Sequence, residues 1–176
     1  MRKTFILGIV ILLLVGLLIS ACQNNENGSL ASRTATENGK EVIVDDFSLT
    51  VTLDKTKARI GDTITATVVF KNLSGRDIEA ELPDWIAARG GRSKDDILSA
   101  VFVPEGEKVS YPGVKFDGPL PKVLIESETV IERKFEHTIT ESKNLEARAG
   151  AYFFTDTAES LSGLQIAINP IKIKVQ

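Results

Sequence analysis

One cysteine, one histidine, one tryptophan and one methionine are all that 176 residues hold of those four types. A single cysteine excludes an intramolecular disulfide, so any core must hold by apolar packing alone. One cysteine and one histidine also fall short of the several ligands a zinc site takes. The alternating-aspartate calcium loop is missing, although Asp45, Asp46, Asp84, Asp95 and Asp96 stand in loop-like stretches. No metal and no cofactor is therefore expected. Excess positive charge is lacking as well. With Arg2 and Lys3 set aside, nineteen basic residues face twenty-four acidic ones, a net of −5. Nucleic acid and anionic headgroups both select clustered Lys and Arg, so neither is an expected partner of the body. No G-x-S-x-G elbow is present, and no stretch of about twelve residues in the body keeps a helical apolar face. The chain does not read as an enzyme.

What is present begins with one apolar run. Arg2 and Lys3 precede FILGIVILLLVGLLI, Phe5 to Ile19, and Ser20-Ala21-Cys22 closes it. A positive start, a short apolar stretch and small residues before a cut site are the layout of a secretory signal. The run is shorter than the roughly 20 residues of a comfortable spanning helix.

The segment Leu18-Ile19-Ser20-Ala21-Cys22 resembles the lipobox of bacterial lipoproteins. The family's usual leucine three places before the cysteine is Ile19 here. The resemblance implies cleavage before Cys22 and a diacylglyceryl group on its sulfur. Two acyl chains meet the requirement that stable anchoring takes two signals. Residues 1–21 are then a lipoprotein signal peptide. The mature protein would sit on the extracytoplasmic face of the cell membrane, with the membrane as a partner through Cys22.

From Gln23 to Lys40 the chain is rich in Asn, Gly, Ser, Thr and Glu, with almost no large apolar residue. Such a stretch buries too little surface to offset its ordering entropy. Residues 22–40 read as a lipidated flexible tether, and 41–176 as the folded domain.

That domain reads as strands. Phe47, Leu49, Val51 and Leu53 alternate with polar residues, the period of a half-buried strand. After Gly61-Asp62, Ile64, Ala66, Val68 and Phe70 do the same, and Asn72-Leu73-Ser74-Gly75 makes a turn. Ile78, Ala80 and Leu82 form a third strand, stopped by Pro83. Further strands are expected over 97–103, 128–140, 145–155 and 164–175. The proline- and glycine-broken run from Val109 to Pro121 is expected to be irregular or an edge. Several short alternating strands with turn signals between them predict an all-β fold. Seven or eight antiparallel strands suit an immunoglobulin-like β-sandwich.

Gly61-Asp62, the alternating Thr63 to Lys71 and the Asn72-Leu73-Ser74-Gly75 turn resemble bacterial surface Ig-like domains. The intracellular proteinase inhibitor family of bacilli is one member of that neighbourhood. The likeness spans residues 47–82 and 145–155 and implies the fold more than an activity.

The most distinctive stretch runs from Pro83 to Lys94. It holds Trp85, the pair Gly90-Gly91 and three cations, Arg89, Arg92 and Lys94. Trp and Arg dominate interface hot spots, so these four side chains are the candidate binding loop. The competing reading has Trp85 plugging the core and the cations solvated. Tyr111 with Pro112 to Pro121 is a second candidate surface. His137 is the one residue that could act as a base in a Ser-His-Asp relay, and its strand phase reads as a half-buried rim histidine. Tyr152 and Phe154, on the phase opposite Ala149 and Ala151, are expected to be buried, since a bare aromatic strip invites edge association. The functional expectation is a non-catalytic surface module that binds a protein or cell-envelope ligand. The alternatives are a structural or accessory subunit of an envelope complex, or a proteinase inhibitor.

Overall fold

A computed structural model describes residues 32–35, 39–44, 46–109, 113, 115–157 and 160–176. The expected signal peptide, Cys22, Tyr111 and Pro112 lie outside the described residues. In chain order the strands are β1 (Ser32–Ala35), β2 (Gly39–Val44), β3 (Phe47–Leu53), β4 (Lys57–Ala58), β5 (Thr63–Asn72), β6 (Ile78–Glu81), β7 (Leu98–Pro104), β8 (Lys122–Ile125), β9 (Val130–Thr138), β10 (Leu145–Thr157), β11 (Ser160–Ala167) and β12 (Ile171–Val175). One sheet has the order β1-β2-β3-β5-β9. The other has the order β4-β12-β10-β6-β8, with β7 and β11 also on β10. The fold is an all-β sandwich.

Period-2 alternation decides which face each strand buries. Phe47, Leu49, Val51 and Leu53 of β3 and Ile64, Ala66, Val68 and Phe70 of β5 are buried. From the facing sheet Leu145, Ala147, Ala149, Ala151 and Phe153 of β10 point to the same core. Phe47, Phe70 and Phe153 meet with centroids 5.5, 5.6 and 5.8 Å apart. Two of the three pairs are edge-to-face, the arrangement ring quadrupoles favour. No disulfide is needed because this aliphatic and aromatic layer is continuous across both sheets.

Twelve strands stand among the described residues where seven or eight were expected. One expected strand is divided, and β1, β2, β4 and β8 are additional. The stretch 164–175 is β11 and β12, because Pro170 offers no N–H to a ladder. The path from Ile78 to Pro104 is one strand line interrupted. Glu81 pairs with Phe154 and Leu98 with Ala151, so only Tyr152 and Phe153 of β10 separate the two halves. The sixteen residues 82 to 97 leave the sheet between them. Paired strand also starts at Ser32, inside the stretch whose composition reads as tether, with β1 on β2 and β2 on β3. Backbone pairing to an existing edge needs no apolar side chains, which is why composition does not reveal it.

Two turns join the sheets at one end. Asn72 is fully buried, and its amide bridges the turn after β5 to the turn after β8. Gly61 has φ of +92° in the turn before β5, a conformation that favours glycine.

Candidate functional site

The excursion from 82 to 97 carries every described residue of the candidate binding loop. It opens with α1 (Asp84–Ala87), a single turn that begins after Pro83, a residue suited to a helix start. Ile86 and Ala87 are buried and fix the turn to the core. The turn ends in a Schellman arrangement. Gly91 N–H donates to Ile86 O and Gly90 N–H to Ala87 O, and Gly90 takes φ of +88°. Gly91 is needed for a different reason. A Cβ there would stand 2.5 Å from Ile86 Cγ2 and 3.0 Å from Ile86 O. The glycine pair is therefore one left-handed residue and one close approach.

Trp85 is half-buried and meets Tyr152 at 5.4 Å and 79°, edge to face. It packs against the core from outside and does not plug it. Tyr152 and Phe154 are half-buried on the outer face of the second sheet, where burial had been expected. Strand phase sets this: Ala151 and Phe153 take the core side. Trp85 then covers part of what would be a bare aromatic strip.

The three cations have different surroundings. Arg92 donates from Nη1 to the carbonyls of Ala87 and Gly91 and lies over the Phe116 ring, 5.0 Å from its centroid. Lys94 pairs with Glu126 at 3.2 Å. Arg89 is exposed on the shoulder of α1. Phe116 belongs to the second candidate segment, and its N–H donates to Asp84 Oδ1 at 3.2 Å. Leu82 N–H donates to Pro121 O at 2.9 Å. The described stretch 115–121 of the second segment thus packs against the first. Phe116 and Tyr152 complete the surface around Trp85, and sequence reasoning did not name Phe116. A Gly150-x-Tyr152 spacing on one strand face was the available hint for the aromatic partner of Trp85.

Asp96 closes the excursion. A 3-10 turn spans Lys94–Ile97. Asp96 Oδ2 accepts from the N–H of Arg92 and Ser93 and from the Ser93 hydroxyl, at 2.9, 3.0 and 2.9 Å. Oδ1 accepts from Arg133 Nη1 at 3.3 Å. Partial burial alone would raise its pKa. The Ser93 and Arg92 backbone donors, the Ser93 hydroxyl and the Arg133 charge outweigh that and hold the carboxyl below the usual aspartate value. A depressed carboxyl contributes stability above its unfolded-state pKa and loses it as pH falls through the folded one. Asp96 should accordingly titrate below 3.8 by carboxyl NMR. Asp96→Asn should flatten the acid limb of the stability curve in that window. An ordinary midpoint for Asp96 would remove this account of the turn.

His137 lies at the far end of β9, half-buried and stacked on Phe102 at 5.1 Å and 14°. Its ring makes no hydrogen bond among the described residues. Nor do three His, Cys, Asp or Glu side chains gather as metal ligands among the described residues. The arrangement around Trp85 offers ring edges, a guanidinium and a rigid backbone. That is the chemistry of recognition. No protein-family model matches this sequence, and no curated protein is significantly similar to it.

Proposed function

We propose that the protein is a membrane-anchored extracytoplasmic lipoprotein whose sandwich is a non-catalytic binding module for a protein or cell-envelope ligand. Recognition is assigned to the surface of Trp85, Arg89 and the side chains packed around them. One observation carries the assignment. A strand that needs to bridge two positions of β10 instead runs through sixteen residues, 82 to 97. Ordering them costs roughly 1–2 kcal/mol of backbone entropy per residue; Leu82, Ile86, Ala87 and Ile97 anchor them in the core, and none of the sixteen belongs to a strand. Loops held rigid on a scaffold are where binding residues concentrate. Within this loop Arg92 and Lys94 serve the loop's own rigidity, and the accessible part of half-buried Trp85 together with exposed Arg89 forms the face offered to a partner.

The lipobox-like Cys22 supports the anchor. The Ig-like form of the sandwich is supported by chain crossings. β5 leads to β6, β8 to β9, and β9 to β10, each passing between sheets in the Greek-key manner of that architecture.

One experiment tests both halves. The full chain, Cys22→Ala and Trp85→Ala plus Arg89→Ala are expressed in a bacterial host and partners are cross-linked in whole cells. The full chain should take up labelled palmitate and Cys22→Ala should not. The double variant should take it up and lose at least tenfold in partner yield, as hot-spot truncation predicts. Palmitate on neither the full chain nor Cys22→Ala, or on both alike, refutes the lipid anchor at Cys22. Unchanged partner yield in the double variant refutes the assigned surface.

A further inference from the structure

A second concave site stands at the opposite end of the molecule, away from Trp85. The end of β9, the loop 139–144 and the end of β7 line a half-open pocket of about 170 Å³. Phe102, Ile139 and Leu145 contribute its apolar lining, and Thr140, Glu141 and Lys143 its polar groups. His137 lines it too, with its ring held by the Phe102 stack. Glu141 and Lys143 are an exposed pair at 3.2 Å.

We propose that this pocket receives one apolar side chain from an extended peptide segment of a protein partner. Size decides first. Sites for small-molecule ligands run from roughly 300 to 1,000 Å³, so a cavity of about 170 Å³ holds a side chain and little more. Lining decides next. A sugar ring pushed into the apolar part would bury hydroxyls without partners, a cost of about 1–3 kcal/mol per group. A hydrocarbon side chain leaves none unpaired. Charge decides the rest. The Lys143 and Glu141 charges cancel, so the rim suits neutral peptide groups better than a net ion. The His137 ring and the Thr140 hydroxyl are at hand to meet peptide N–H and C=O groups.

Placement agrees, on the anchor reading given above. β1 begins at the end of the sandwich that carries Asn72 and Val130, through the pairs Ser32 to Ile43, Val44 to Phe47, Phe47 to Asn72 and Lys71 to Val130. His137 pairs with Ile64, near the other end of β5. Nine residues separate Cys22 from Ser32, a reach of at most about 34 Å over ten steps of the chain. An anchor there holds the Asn72 end toward the bilayer and turns the pocket outward.

The single histidine makes the test direct. The full chain, without a histidine tag and in detergent micelles, gives one histidine Cε1–H signal, that of His137. N-acetyl-leucine methylamide should shift it saturably, with a Kd of about millimolar order. N-acetyl-glycine methylamide and N-acetylglucosamine should not. Thr140→Phe and, separately, Glu141→Tyr should abolish the shift, and Trp85 emission reports whether each variant keeps its fold. No saturable shift with the leucine probe overturns the proposal, as does an equal shift with the glycine probe. A response to the sugar alone overturns it in favour of a glycan site. No variant in this measurement alters Cys22 or Trp85, so its failure is distinct from failure of the anchor or of the Trp85 surface.

Discussion

Asn72→Ala should lower unfolding free energy by about 3 kcal/mol, since each polar group orphaned in the interior costs about 1–3 kcal/mol. Asn72 is fully buried. Its Nδ2 donates to the carbonyls of Arg76, Ile125 and Glu126 at 2.9, 3.2 and 3.1 Å. Its Oδ1 accepts from Ser74 N–H and Ser74 Oγ at 3.1 and 2.7 Å. One amide therefore ties the crossing from β5 to β6 to the crossing from β8 to β9. Alanine leaves the carbonyls facing a void with no donor. Thermal melting should shift down by about 10 °C, given roughly 2–4 °C per kcal/mol at this size. Asn72→Asp should be at least as damaging despite its similar shape, because a carboxylate cannot donate to three carbonyl oxygens. Ser74→Ala removes only the local partner and should cost about 1 kcal/mol. A loss below 1 kcal/mol for Asn72→Ala would mean that water replaces the amide and that the bridge is not what joins the sheets.

Gly150→Ala is the second large effect, about 2–3 kcal/mol from overpacking. A Cβ at Gly150 would stand 2.8 Å from both Cζ and Oη of Tyr152 and 2.9 Å from Ile166 O. Tyr152 can swing aside. The Ile166 carbonyl cannot, because β11 is paired to β10 along this length. Relief thus requires moving both the ladder and the ring. Moving the ring takes Tyr152 off Trp85, which it now meets at 5.4 Å. Trp85 is the single tryptophan, so its emission should change together with stability. Partner capture should fall as it does on truncation of Trp85 itself. Loss of stability with unaltered Trp85 emission would show that Gly150 serves the β10–β11 ladder alone and does not position the proposed recognition surface.

Much of the sandwich was legible because side-chain alternation is a local property. The core phases of β3, β5 and β10 follow from apolar residues two apart. The turns at Gly61 and Gly75 follow from glycines that take φ of +92° and +71°. The half-buried rim placement of His137 follows from the same phase argument. Trp85, Arg89, Arg92 and Lys94 could be picked out as one loop from composition. Their separate roles could not. Lys94 finds Glu126 thirty-two residues away, and Arg92 finds Phe116 across a second loop. No periodicity within either segment encodes such a meeting.

The sequence by itself determined a single apolar core without disulfides, an all-β chain and the inward phase of its principal strands. Only the tertiary structure decided that β6 and β7 are two halves of one line on β10. It alone placed Tyr152 beneath Trp85 on the outside of the sheet and His137 beside a cavity at the far end. The physical reason is the range of each effect. Alternation and turn chemistry act within a few residues. Strand register is a choice among distant partners, made by whichever pairing lets both sheets bury their apolar faces together.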